Sequence, residues 1–236
     1  MTIVKKYHPE LLKYKNKHQG ETCYVFGSGP SFKNFKKQED GVFIGCNHII
    51  KNEEIKNNIK YYFFGHGYLE FKKDEGLYGN HYREVNNLGN HIEKFCMVSN
   101  NNDLKVHKFS PKEVLKLKDI NALPCDINSK NINLELESNS FLNHSIVFPA
   151  TQLALYSGFS KIYLVGCDCH VDYAKENYFW NHSSESKRPN YDLGLIDWWK
   201  KMYQFKNKYY PDCQIININP GGLKGLMDDD IYFNKK

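Results

Sequence analysis

Five short clusters in this chain carry residue types that do chemistry. The first is Gly27-Ser28-Gly29-Pro30-Ser31, directly after the apolar run TCYVF. Paired glycines let a backbone approach an anion closely. A helix starting at Pro30 and Ser31 would add free N–H groups at the positive end of its dipole. The turn has no G-K-[ST], so it is not a P-loop. Phe32 stands where the dinucleotide fingerprint needs its third glycine. One reading is a nucleotide- or phosphate-binding turn; the other is a tight strand-to-helix connection with no ligand.

The second cluster is Gly45-Cys46-Asn47-His48, at the end of the run VFIGC. In an open parallel sheet the carboxyl ends of neighbouring strands line one crevice, so Asn47 would stand beside the glycine turn and offer a donor and an acceptor. The third is Gly166-Cys167-Asp168-Cys169-His170, after KIYLV. Asp168 could take a hydroxyl proton or bind a sugar hydroxyl there, or simply cap a loop. The fourth is the segment holding Tyr173, Tyr178, Trp180, Asn181, His182, Lys187, Arg188 and Tyr191. Imidazole is a natural general base near neutral pH, and tyrosine hydroxyls can support a leaving phosphate. The fifth is Asn219-Pro220-Gly221-Gly222-Leu223-Lys224-Gly225, a flexible turn with a single lysine. Nearby Asp228-Asp229-Asp230 has the D-x-D form that holds a metal in some transferases, but is read as a solvated acidic turn.

These clusters need a frame. Apolar runs at 22–26, 42–46, 60–64, 93–98, 161–165 and 214–218 do not alternate, as expected of strands buried on both faces. Helical segments are expected over 31–37, 111–118, 149–156 and 192–209. In the last, Leu195, Ile196, Trp199, Met202 and Tyr203 recur at helical spacing and make one buried face. Strands alternating with helices predict an α/β protein with a Rossmann-like, mostly parallel sheet, helices on both faces and a lid-like insertion. We expect one domain over 1–236, with insertions at about 66–145 and a long loop at 167–191. The 121–145 stretch, rich in Asn and Ser, reads as a loop or a small insertion.

Composition limits the function. The chain has 236 residues, with 41% hydrophobic and 25% charged, enough for a packed core. The net charge of +5 is spread over many lysines, and the only arginines are Arg83 and Arg188. That suits anionic substrates and argues against nucleic acid. No run of 18 apolar residues exists, which excludes a membrane-spanning helix. The polar, lysine-rich start is not a secretory signal, and seven scattered cysteines fit a reduced, cytoplasmic setting. Lys5, Lys6, Lys13, Lys15 and Lys17 could make a peripheral contact with an anionic membrane, or only a solvated basic segment. Cys167 and Cys169 lack a second pair at zinc spacing, so no metal site is expected. Nothing in the sequence speaks to oligomeric state.

Taken in order, YVFGSGPSFK, FIGCNHI, PATQLALYSGFSKIYLVGCD, a histidine-bearing loop and NPGGLKG resemble the bacterial sialyltransferases of glycosyltransferase family 42. They also resemble the related 6-hydroxymethylpterin pyrophosphokinase-like family, found among surface-polysaccharide genes. The resemblance runs from about residue 22 to 226 and is poor over 66–145. It implies an inverting transfer from CMP-sialic acid to a surface glycan or glycolipid acceptor, with no metal or other cofactor. It implies donor contacts at Gly27, Ser28, Gly29, Asn47 and the Ala150, Thr151 and Gln152 region, with Tyr173 and Tyr178 on the donor phosphate, Asp168 at the strand end and His182 as base; the reading of the turns themselves adds Pro30, Ser31, Gly221 and Gly222 to the binding residues. This chain departs from the family in having Ser28 where Asn is usual and His170 where Tyr is expected. A different CMP-sugar or a nucleoside diphosphate sugar stays open on that account. The other readings are a Mg²⁺-dependent pyrophosphokinase, with Asp168 and Asp228–Asp230 holding the metal, and a nucleotide-binding protein without turnover.

Overall fold

Runs that are apolar on every residue need cover on both faces, and the sheet supplies it. The computed structural model describes residues 9–37, 39–65, 84–85, 87–99, 120–126, 132, 141–142, 145–169, 192–218 and 221–230. Its strands are β1 (Thr22–Phe26), β2 (Val42–Cys46), β3 (Ile59–Gly65), β4 (Glu93–Ser99), β5 (Ile120–Asp126), β6 (Phe141–Leu142), β7 (Lys161–Val165), β8 (Gln214–Ile218) and β9 (Asp228–Asp230). They form one sheet in the order β6-β5-β4-β3-β2-β1-β7-β8-β9. Every described pairing is parallel.

Side chains alternate between two cores. One face carries Cys23, Val25, Ile44, Tyr61, Phe63 and Leu164 under helices α2 (Val147–Tyr156) and α3 (Asp192–Tyr209). Phe148 of α2 and Trp199 of α3 meet there, ring centroids 4.8 Å apart. The opposite face carries Tyr24, Phe26, Tyr62, Phe64 and Tyr163, covered by Phe32, Ile49 and Ile55. Ile55 lies on α1 (Glu53–Asn58), which Asn52 caps by accepting the Ile55 N–H at 3.0 Å. The expected α/β architecture, with helical cover on both faces, is what the chain adopts.

Several local expectations give way. The segment expected as a helix over 31–37 is a 3-10 helix, Pro30–Asn34, because Phe35 returns to extended backbone at φ −62°, ψ 132°. Helix α2 starts at Val147, two residues before Pro149, and is buried nearly all round, so it has no polar face to mark its start. The 121–145 stretch, expected to be a loop or a small insertion, holds most of β5 and all of β6. The ladder to β4 makes β5 a strand although its sequence, INALPCD, does not alternate. Asp228–Asp230, expected as a solvated turn, is instead β9, beside β8 at the end of the sheet. Charged residues suit an edge, where they discourage further strand pairing. The helix expected over 111–118 and residues 66–83 of the insertion lie outside the described residues.

The amino-terminal pole of the sheet is tied by a polar network. Tyr14 of the 3-10 helix Pro9–Tyr14 donates to Glu93, which Lys13 and Lys17 also approach at 3.3 Å. His18, buried and stacked on Phe159 at 4.5 Å, hydrogen-bonds the Tyr61 hydroxyl at 2.7 Å and Glu21 at 3.1 Å. Burial lowers the His18 pKa below its ordinary value, and Glu21 opposes this only in part. The folded state thus favours neutral imidazole. This contribution is complete above the unfolded-state pKa and is lost as the pH falls below it. Thermal unfolding should show a lower midpoint at about pH 5 than at about pH 7, and His18→Gln should flatten that pH slope.

Candidate functional site

Strand β1 sits where the sheet order reverses: β2 to β6 extend to one side of it and β7 to β9 to the other. Such a switch point opens a crevice at the carboxyl ends of the strands. The register aligns Phe26 with Gly45 on one side and with Val165 on the other, and Val165 with Ile218. Four of the five sequence clusters therefore leave the sheet on one edge. They are Gly27–Ser31, Asn47–His48, Gly166–Cys169 and the Gly221–Gly222 turn.

The glycine turn is held by protein groups. Gly27 N–H donates to Val165 O at 2.7 Å and Gly29 N–H to Gly166 O at 2.8 Å. Ser31 N–H donates to Asp168 Oδ2 at 3.0 Å. The turn thus prolongs the β1–β7 ladder beyond both strands. Pro30 has no N–H, so Ser28 alone keeps an N–H outside this series, on a partly exposed residue. The sequence-based picture of a row of free N–H groups is corrected to this extent. The glycines are needed for close approach of β7's continuation. A Cβ on Gly27 would lie 2.4 Å from Gly166 O, and one on Gly29 2.0 Å from Asp168 Oδ2. Gly166 itself has φ +65°, a left-handed conformation that a side chain would strain.

Asp168 is buried, at 9% exposure, and its carbonyl accepts the Gly222 N–H at 2.6 Å. Turns from three strands thus meet at one residue. Asn47 lies on the same edge with φ +49°, a strained conformation that Asn tolerates better than most residues. Its carbonyl accepts from the Tyr62 hydroxyl at 2.7 Å, while its buried Oδ1 meets no hydrogen-bond partner among the described residues. A buried acceptor left unsatisfied is costly, and functional sites are where such costs are found.

Other expected positions are placed differently. Thr151 and Gln152 are buried in the body of α2, not at its start. The Thr151 hydroxyl donates back to Val147 O at 2.8 Å. On β9, Asp229 Oδ2 accepts the Gly225 N–H at 2.7 Å, and its register partner on β8 is Asn217. Asn217 is 1% exposed, a buried polar residue that the apolar look of QIINI concealed. Cys167 is buried, which pushes its thiol pKa well up and keeps it protonated. Among the described residues no three His, Cys, Asp or Glu side chains gather as a metal site. Tyr173, Tyr178, His182 and His170 lie outside the described residues.

No model of a known protein family matches the chain, and no curated protein matches it. Among solved structures, the sialyltransferase CST-II in complex with a trisaccharide acceptor and CMP is similar at a TM-score of 0.53 and 14% identity, over 92% of this chain and 88% of that one. An asparagine-to-alanine variant of CST-II in complex with CMP gives 0.52 and 14%, over 92% and 89%. The sialyltransferase CstII from Campylobacter jejuni with the substrate analogue CMP-3FNeuAc gives 0.50 and 13%, over 92% and 88%. The chain shares the fold of these enzymes along nearly its whole length. The comparisons lend nothing to the pterin pyrophosphokinase-like side of the resemblance. No described helix is long and apolar enough to cross a membrane.

The packing at the edge predicts opposite signs for two glycine substitutions. Gly29→Ala should lower stability by about 1–3 kcal/mol or more, because the atoms in the way are a fixed carboxylate and a backbone carbonyl. Gly194→Ala on α3, where a Cβ meets nothing within 4 Å, should raise it by up to about 1 kcal/mol. Chemical denaturation of both variants checks this.

Proposed function

We propose that this protein is a glycosyltransferase that moves sialic acid, or a similar sugar, from a CMP-linked donor to a glycan or glycolipid acceptor. The observation that carries this reading is the gathering of Gly27–Ser31, Asn47 and Gly221–Gly222 on one edge of a sheet shared with CMP-complexed sialyltransferases. Ser28, with an N–H outside the ladder, and Asn47, with an unsatisfied Oδ1, are the residues we assign to the nucleotide.

The chemistry follows from the donor. A sugar leaving CMP passes through an oxocarbenium-like state, and catalysis consists of stabilising the departing phosphate and deprotonating the acceptor hydroxyl. We assign the first task to Tyr173 and Tyr178 and the second to His182, with inversion at the sugar carbon. CMP carries a single phosphate, so hydrogen-bond donors suffice and the reaction needs no divalent metal. The free thiols of the described cysteines suit a reduced, cytoplasmic setting.

Calorimetric titration with CMP, UDP, GDP and ATP, each with Mg²⁺ and with EDTA, tests the donor. CMP should bind best and should bind equally well in EDTA. ATP binding that requires Mg²⁺, without CMP binding, would replace this reading with a phosphotransferase. His182→Ala should cut transfer from CMP-sialic acid about 10²- to 10⁴-fold with CMP affinity unchanged. Undiminished transfer would place the base elsewhere.

A further inference from the structure

We propose that Asp168 is a positioning residue, whose carboxylate locks the Gly27–Ser31 turn against the ends of β7 and β8 and so shapes the donor edge, without touching donor or acceptor. Only the identity of the ligand rests on the reading above; the lock itself is geometric.

Three contacts make the lock. Oδ2 accepts the Ser31 N–H at 3.0 Å, across 137 residues of sequence. The Asp168 carbonyl accepts the Gly222 N–H at 2.6 Å, which attaches the turn after β8. Asp168 itself continues β7, beside the Gly29 N–H to Gly166 O bond at 2.8 Å. Glycine backbone closes in on both carboxylate oxygens. A Cβ on Gly29 would meet Oδ2 at 2.0 Å, and one on Gly221 would lie 3.3 Å from Oδ1. Glycines therefore flank both oxygens, and the side chain is closed in at 9% exposure. A group that takes a proton from an acceptor, or grips a sugar hydroxyl, must show a lone pair to the crevice. Here Oδ2 is engaged by the Ser31 N–H and the residue is buried. It fills the start of the Pro30–Asn34 turn with an internal anion, and a charged acceptor makes the stronger hydrogen bond to an N–H.

Asparagine keeps an oxygen in the same place and lacks the charge; alanine keeps neither. The test uses Asp168→Asn and Asp168→Ala in the full chain, with three readouts. The first is the Ser31 amide, by hydrogen exchange and by its proton chemical shift against pH. In the wild type the shift should follow titration of the Asp168 carboxyl, and in Asp168→Asn it should go flat while exchange stays slow. The second is CMP affinity, within about threefold of wild type for Asn and weakened about tenfold or more for Ala. The third is the pH profile of sugar transfer, whose shape should be the same in Asp168→Asn as in wild type.

Two results overturn the proposal. One is a Ser31 amide shift in the wild type that ignores carboxyl titration. The other is loss of transfer in Asp168→Asn with CMP affinity and Ser31 protection intact, which would make the carboxylate a direct participant. If Asp168→Ala does not fold, the wild-type titration and Asp168→Asn still decide. If the wild type binds no CMP, the donor reading fails alone, and the Ser31 amide still judges the lock.

Discussion

Two adjacent parallel strands that end at the same level must turn their chains away without collision. In this protein β1 and β7 meet that constraint by omitting side chains. Gly27 and Gly166 face each other so closely that a Cβ on Gly27 would lie 2.4 Å from Gly166 O. The ladder then continues past both strands through Gly29 and Ser31, ending on the Asp168 carboxylate. The edge at the switch point depends on this zipper. Without it the β1 turn and the β7 turn would separate, and the β8 turn, held through Gly222, would lose its anchor.

The same constraint changes how the glycine turn is understood. Glycines after a first strand suggest a cradle of N–H groups for phosphate. Here three of those groups serve the protein itself, and the helix that follows is a 3-10 helix of five residues. What the edge can offer a ligand is concentrated in fewer atoms, notably those of Ser28 and the unsatisfied Oδ1 of Asn47. Asn47 also carries backbone strain at φ +49°, held in place by the Tyr62 hydroxyl on its carbonyl. Its side chain is therefore presented by a rigid, over-determined backbone, which suits a group that must wait in position for a ligand.

The two poles of the sheet use polar groups to different ends. At the amino pole, Glu93, Tyr14, His18 and Tyr61 are paired with one another and pin the Pro9–Tyr14 segment to β3 and β4. At the carboxyl pole, the buried Asn47 Oδ1 and Asn217 Nδ2 meet no partner among the described residues. Among the described residues the paired network thus lies at one pole and these two atoms at the other, the carboxyl ends where open parallel sheets bind ligands.

Strands β1, β2, β7 and β8 and helix α3 were legible in the sequence, because burial on both faces imposes unbroken apolar runs and burial on one face imposes helical spacing. The glycine turns and Asn47 were legible as punctuation at strand ends. The outer strands were not: β5, beside the terminal β6, and β9, at the other end of the described sheet, are strands because a neighbour offers a ladder, and nothing local in INALPCD or DDD demands it. Nor were the boundaries of α2, whose complete burial erases the polar stripe that marks a helix. The contact between Ser31 and Asp168 was beyond any sequence window. The sequence alone determined which residues could stand at the ends of strands. Only the tertiary structure decided which ends adjoin, because strand order is settled by long-range pairing, and with it whether an N–H meets a ligand or a carboxylate of its own chain.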